Sequence, residues 1–337
     1  MAFKFAEEVC QNYAINGINL DFFRHPVFFK SAANGIPACQ TELQMMTDLV
    51  RRIREMTELE GEKRGEPILL AVRVPDSVEY CKAIGIDIEE WLSEGLIDIM
   101  IVSSYIQLNS WEYSVTLGHK YGVKVYASLD ETRIQDQEAR ALRDSLEGYR
   151  GRAMNVWSSG ADGIFLFNYN PRDLLNYGNN NNNLLNEAHD PEILKGMRKL
   201  YFVSVRGEGR IAGGGFPHQE YMNIPTLNPE NPINLYCGEE ITIPLKIGDD
   251  VKWGVKNNIL PDIKLFLRFG NIPDEKSIVL KFNGNILSNP SKDGDKIIFG
   301  VKDDYVAKGT NMFTIQTTTK KDEVAILTDL YVEIEYK

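Results

Sequence analysis

A chain of 337 residues is long enough for one large and one small domain. Hydrophobic residues make up 43% and charged residues 25%, the balance of a folded globular protein, which excludes a disordered chain. A formal net charge of −11 argues against nonspecific attraction to nucleic acid or anionic lipid, both of which need a basic surface, and suits a neutral or polar ligand.

The first segment, MAFKFAEEVCQNYA, places apolar residues at helical spacing and lacks the apolar centre and cleavage site of a signal peptide. The expectation is a chain carrying no export signal, with a secreted or periplasmic location open if the N-terminus is truncated. No apolar run approaches the roughly 20 residues that cross a membrane. From there one rhythm repeats. Short apolar runs, GINLDFF (17–23), ILLAVRVP (68–75), IDIMIVSSY (97–105), VKVYASLDE (123–131) and DGIFLFNYN (162–170), alternate with helical stretches. Those stretches are TELQMMTDLVRRIREMTELEGEKRG, DIEEWLSEG, SWEYSVTLGHKYG and EARALRDSLEGYRGRAMNVWSSG. Continuous apolar runs between amphipathic helices predict buried parallel strands in an α/β sheet. Polar residues gather at the C-terminal ends of the runs, where α/β barrels carry their active sites. The expected fold is therefore a (β/α)8 TIM-type barrel of which the chain holds five strand units. Three explanations stay open: an open barrel, a homo-oligomer in which a second copy covers the gap, or a piece of a longer protein.

NYGNNNNNLLNEAHDP (176–191) holds five consecutive asparagines, Asn179 to Asn183, and reads as a surface loop. PEILKGMRKLYFVS adds a helix and a short extended exit, ending the partial barrel at residue 203. Residues 204–232, rich in Gly and Pro, form the linker. From 233 to 337 the period changes to two. INLYCGEEITIPLKIG, DIKLFLRFG, SIVLKFNGNIL, KIIFGV, TNMFTIQTTT and AILTDLYVEIEY predict a β-sandwich, with an Asn-Gly hairpin at Asn283 and Gly284. A structural appendage is the commoner role for such a domain, and sugar binding the alternative.

Side chains alternate along a strand, so Asn19 and Asp21 share one face and Ile18 and Leu20 the other. Asp21 then stands at the strand end over the mouth, with Phe22, Arg24 and His25 in the loop beyond. The same parity turns Lys124, Tyr126, Ser128 and Asp130 inward, with Glu131 opening the next loop. Arg73 reaches the mouth from the second run, Ser103, Ser104 and Tyr105 from the third, and Asn168, Tyr169 and Asn170 from the fifth. Carboxylates, an arginine, a histidine, amides and aromatics around one mouth are the mixture a carbohydrate site needs: rings stack on sugar faces, amides and Arg bond hydroxyls, and paired carboxylates do acid and base work.

NYAINGINLDFFRHP, LLAVRVP, KVYASLDETR and GADGIFLFNYNP, in that order and spacing, resemble the bacterial glycosyl-hydrolase-like family of α/β barrels, whose members carry a YDVDGIxLDFxRxP segment. The resemblance spans about residues 5–200. It implies a (β/α)8 barrel with Asp21 on the family's fourth strand as catalytic acid, Asp130 and Glu131 ending the seventh strand, and FNY closing the eighth. The chain departs from it in Asn16, where an acid is usual, and in lacking the first three strands.

The function expected is a glycoside hydrolase acting on a poly- or oligosaccharide through Asp21 with Asp130 or Glu131, its substrate lined by Arg24, His25, Arg73, Tyr105, Trp111, Asn168 and Tyr169. The alternative is a non-catalytic carbohydrate-binding protein or an inactive barrel fragment. Bland readings stand beside these: Asp21 as the cap of its turn, Arg73 as a structural partner of Asp21 or Asp130, Trp157 as core. No cofactor is expected. His25, His119, His189 and His218 are too scattered for a His-rich metal centre, and Cys10, Cys39, Cys81 and Cys237 lack metal spacing and read as reduced core thiols. GxSxG, GxxxxGK[ST] and HExxH are absent, and GEGRIAGGG (207–215) opens no helix after a buried strand, so it is no phosphate loop.

Overall fold

The structure, a computed structural model, describes residues 1–103, 105–169, 182–209, 215–318 and 324–337. Ser104, Asn170, Asn179 to Asn181 and most of the GEGRIAGGG stretch lie outside the described residues. The chain forms two units: Met1–Ser128 with Gly160–Phe167 and Gly209–Ile224, and Leu129–Ser159 with Asn168–Glu208 and Pro225–Lys337.

The first unit begins with helix α1 (Ala2–Asn12), which buries Ala6 and Cys10. Strand β1 (Gly17–Asp21) follows, then α2 (Lys30–Ala33) and α3 (Gln40–Arg64). Helix α3 starts where Glu42 accepts the Cys39 N–H at 2.9 Å and stops at Gly65 in the left-handed region, φ 76°. Its buried Leu43, Met46, Val50, Ile53 and Met56 keep the spacing of three and four read from the sequence. Next come β2 (Leu69–Val74), α4 (Val78–Ile84), α5 (Ile88–Ser93), β3 (Ile99–Val102), α6 (Trp111–Lys120), β4 (Lys124–Leu129) and β5 (Gly163–Leu166).

These strands form one sheet in the order β1-β2-β3-β4-β5, and the registered pairs β1 to β4 are parallel. Chain order equals sheet order, as successive crossovers of one hand require. Register sets Asp21 beside Arg73 and Asn19 beside Ala71, then Arg73 beside Ile101 and Ile101 beside Tyr126, so the expected parity holds. Strand β1 is an edge, with Gly17, Asn19 and Asp21 exposed and Ile18 and Leu20 half-buried. A five-stranded parallel sheet with an open β1 edge is what the described residues hold; closure into a barrel is not seen.

The second unit contains α7 (Gln137–Arg143), α8 (Leu146–Ser158), α9 (Asn182–Glu187), α10 (Pro191–Leu194), α11 (Val251–Lys256) and strands β6 (Lys199–Phe202) to β15 (Ala325–Tyr336). The sequence stretch read as one helix before Trp157 is two, parted at Asp144 and Ser145, because the Ser145 hydroxyl caps the second by accepting the Gly148 N–H at 3.0 Å. Asn182 and Asn183, read as loop, begin α9. The extended exit at 199–202 is a sandwich strand: β6 pairs antiparallel with Tyr331 to Ile334 of β15.

The antiparallel part has one four-stranded sheet in the order β11 (Asn285–Ile286), β10 (Ile278–Phe282), β14 (Gly309–Thr317), β8 (Glu240–Ile247), and one running β12 (Ser291–Asp293), β13 (Lys296–Val301), β9 (Pro261–Phe269), β15, β6, with β7 (Ile233–Leu235) also on β15. The core between them is apolar, with Leu245, Leu265, Leu267, Leu280, Phe282, Phe313, Ile315 and Val332 all buried. Asn283 and Gly284, φ 48° and 82°, make the expected two-residue turn, with Phe282 facing Asn285 across it. The outward side of β8 (Glu240–Ile247) and β14 (Gly309–Thr317) carries Thr242, Pro244, Thr310, Met312, Thr314 and Gln316, and no aromatic platform for a sugar.

Helix α8 lies backbone to backbone on β6. A Cβ on Gly151 would stand 2.0 Å from the Leu200 carbonyl oxygen. Gly151→Ala is therefore expected to destabilise the chain by about 3 kcal/mol, because the obstacle is main chain that no rotamer change relieves; a urea midpoint unchanged from wild type would overturn this. Of the four cysteines only Cys10 and Cys81 are buried, while Cys39 and Cys237 are exposed, which corrects the reading of all four as core thiols.

Candidate active site

In the first unit the C-terminal ends of β1 and β2 bring Asp21 and Arg73 together. Asp21 Oδ1 accepts the Phe23 N–H at 2.9 Å, the turn cap allowed for in the sequence, and Oδ2 accepts from Arg73 Nη1 at 3.0 Å. The Asp21 side chain keeps 35% of its surface exposed, whereas Arg73 has none. Aromatic rings account for that burial: the Arg73 guanidinium carbon lies 3.7 Å from the Phe167 ring centre, 5.8 Å from Phe23 and 5.9 Å from Phe165. Burial presses the Arg73 pKa downward and the Asp21 charge opposes it. Nε and Nη2 of Arg73 are buried without a hydrogen-bond partner.

Arg24 is exposed, and its Nη1 donates to the Tyr105 hydroxyl. Tyr105 is itself buried, edge-on to Phe167 at 5.4 Å and tilted on Phe23 at 6.2 Å, so it presents its oxygen to Arg24 rather than a ring face to a sugar. His25 is exposed just past Arg24, and Trp111 is the half-buried first residue of α6. Phe23 and Phe167, which wall the arginine, were not singled out in the sequence, although parity along FLFNYN puts Phe165 and Phe167 on one face.

A second arrangement fixes the loop after β2. The buried Asp76 carboxylate accepts the N–H of Leu108 at 3.0 Å and of Asn109 at 3.0 Å, and the Asn109 side chain donates to the Asp76 carbonyl at 2.7 Å. Burial pushes the Asp76 carboxyl up to about 6 despite these bonds. With a raised folded pKa, its stabilising contribution is full below about pH 4 and is lost as pH rises through about 6. Asp76→Asn is expected to shrink the stability difference between pH 4 and pH 7 by about 2–3 kcal/mol. Urea titrations at the two pH values check it, and an undiminished difference would contradict the assignment.

The remaining candidates belong to the second unit. Asp130 is buried and accepts from Arg206 Nη2, which also donates to the Glu131 carbonyl at 3.1 Å. Glu131 is half exposed, with Arg140 at 3.6 Å. Asn168 is exposed in the left-handed region, φ 51°, and Tyr169 meets Tyr149 edge-on at 5.9 Å. Sequence reasoning missed Asp144. It accepts the Thr132 N–H at 2.8 Å, and burial lifts its carboxyl to about 6. The break before Ser145 was the signal that could have exposed it. Trp157 donates to the Ala188 carbonyl at 2.8 Å, a structural use.

Among the described residues no group of His, Cys, Asp and Glu could hold a metal ion, and no helix is long and apolar enough to cross a membrane.

No family model and no curated protein matches this chain. Solved structures resemble it at low identity. One is a glycoside hydrolase family 18 N-acetylglucosaminidase from Paenibacillus barengoltzii, 14% identical over 50% of this chain and 70% of the other, TM-score 0.35. Another is a chitinase from Paenibacillus sp. str. FPU-7, 10% identical over 97% and 40%, TM-score 0.40. A third is a beta-porphyranase of glycoside hydrolase family 86 from the human gut bacterium Bacteroides plebeius, 11% identical over 92% and 77%, TM-score 0.28. All three are glycoside hydrolases by description, and at these TM-scores none of them fixes the fold or the activity of this chain.

Proposed function

We propose that the C-terminal ends of the parallel strands bind a poly- or oligosaccharide and that the chain is a glycoside hydrolase with Asp21 as its acid-base carboxylate. The observation that carries the reading is Asp21 itself: a strand-end carboxylate, one-third exposed, held in place by Arg73 and the Phe23 N–H. Both bonds are donated to it, so they fix the position of the carboxyl group at the strand end. Arg73, enclosed by rings, orients Asp21, and Arg24 and His25 offer exposed polar contacts to sugar hydroxyls. Five parallel strands in sequential order with polar residues at their C-terminal ends are compatible with part of a (β/α)8 barrel. The partner carboxylate named from the sequence, Asp130 or Glu131, is tested by mutation: Asp130→Asn and Glu131→Gln assayed singly, with loss of turnover in one identifying it.

Reducing-end release from a panel of purified oligosaccharides tests the proposal. Turnover of one glycan class supports it, and absence of turnover across the panel overturns it. Binding without turnover would favour a carbohydrate-binding protein instead, a reading that gains from Asp130 and Glu131 both being engaged by arginines.

A further inference from the structure

Two N–H groups of a fully buried guanidinium stand unmet beside the carboxylate on which the proposed site depends. A buried cation with open donors is costly, and such groups are met by ligands or ordered water. Asp21 satisfies one nitrogen only, Nη1, leaving Nε and Nη2, a neighbouring pair of donors suited to two oxygens of one anion. The local charge points the same way. Arg73 feels both the Arg24 charge and the Asp21 carboxylate, two cations to one anion, in a chain whose overall charge is −11. Asp21 is one-third exposed and bonded to the same guanidinium, so these buried donors lie directly behind the carboxylate that a substrate meets.

We propose that the sugar recognised here bears an anionic substituent, a carboxylate or a sulfate ester, and that Arg73, assisted by Arg24, receives its oxygens. The inference rests on the carbohydrate reading above and departs from the neutral ligand suggested by net charge. The Phe167 face, 3.7 Å from the guanidinium carbon, fixes the plane of the fork. A lysine there would keep the charge and lose the paired geometry.

Calorimetric titration of the full chain with matched neutral, uronic-acid and sulfated oligosaccharides is the test. An acidic class should bind at least tenfold more tightly than the neutral one, and the better of the two acidic arms identifies the group. Arg73→Lys should reduce the ratio of acidic to neutral affinity about tenfold. Arg24→Gln, an exposed position, should weaken acidic binding and serves if Arg73→Lys does not fold. Equal affinity for neutral and acidic sugars, or a preference kept in both variants, overturns the inference alone. No binding of any class overturns it together with the carbohydrate reading.

Discussion

Under the glycoside-hydrolase proposal, Asp21→Asn is expected to lower kcat/KM by about 10²–10⁴-fold, the usual worth of a positioned acid-base group. The asparagine retains an oxygen for the Phe23 N–H, so the turn survives, but it can neither take up the proton nor offer Arg73 a carboxylate. That second loss has its own signature. Arg73 would remain enclosed by Phe167, Phe23 and Phe165 with no counter-charge, and stability should fall with activity. Measuring the urea midpoint beside the rate separates the two: a folded variant with the rate lost supports chemistry at Asp21, while a folded variant with wild-type rate removes Asp21 from the mechanism. Arg73→Met should lower stability less than it lowers turnover if Arg73 positions Asp21, because a methionine can fill the ring-lined space without a buried charge.

The second large effect is expected at Asp329→Ala, a loss of about 3–5 kcal/mol. Arg143 and Asp329 are both buried and paired through two bonds, 2.7 and 2.8 Å. Arg143 also donates to the Ser204 carbonyl at 2.9 Å and stands over the Phe202 ring at 4.5 Å. Removing the acid strands a guanidinium in an apolar setting, which costs far more than the intact pair contributes. Arg143→Met with Asp329→Leu should therefore recover most of the loss. Chemical denaturation of the three variants decides: a cost under 1 kcal/mol for Asp329→Ala would mean the pair is solvated, and failure of the double variant would mean the polar network itself specifies the packing.

Some of this was legible in the chain. Apolar runs of four to six residues separated by amphipathic helices dictate a parallel sheet, and period-two runs with an Asn-Gly turn dictate antiparallel strands, because local burial alone sets those periods. Parity likewise fixed Asp21 and Arg73 on one face, since pleating leaves no other choice. The Asn283–Gly284 turn is local chemistry, readable for the same reason, whereas the Cys39–Glu42 cap emerged only in the structure.

Other features were decided by contacts distant in sequence. That Arg73 would be sealed under Phe167, with two donors unmet, depends on a ring 94 positions away. That β6 would leave the α/β part and pair with the last strand depends on hydrogen bonds to residues 331–334, and nothing in KLYF announces its partner. Asp329 reads as an outward polar residue in a strand. Only the shift of register between Leu327 and Asp329, with Arg143 waiting on α7, makes it a buried anion. Asp144 and Asp76 owe their raised carboxyls to burial that composition does not encode. Period and parity come from the chain's own geometry, whereas burial, ion pairing and the state of a carboxyl come from whatever the folded chain sets beside it.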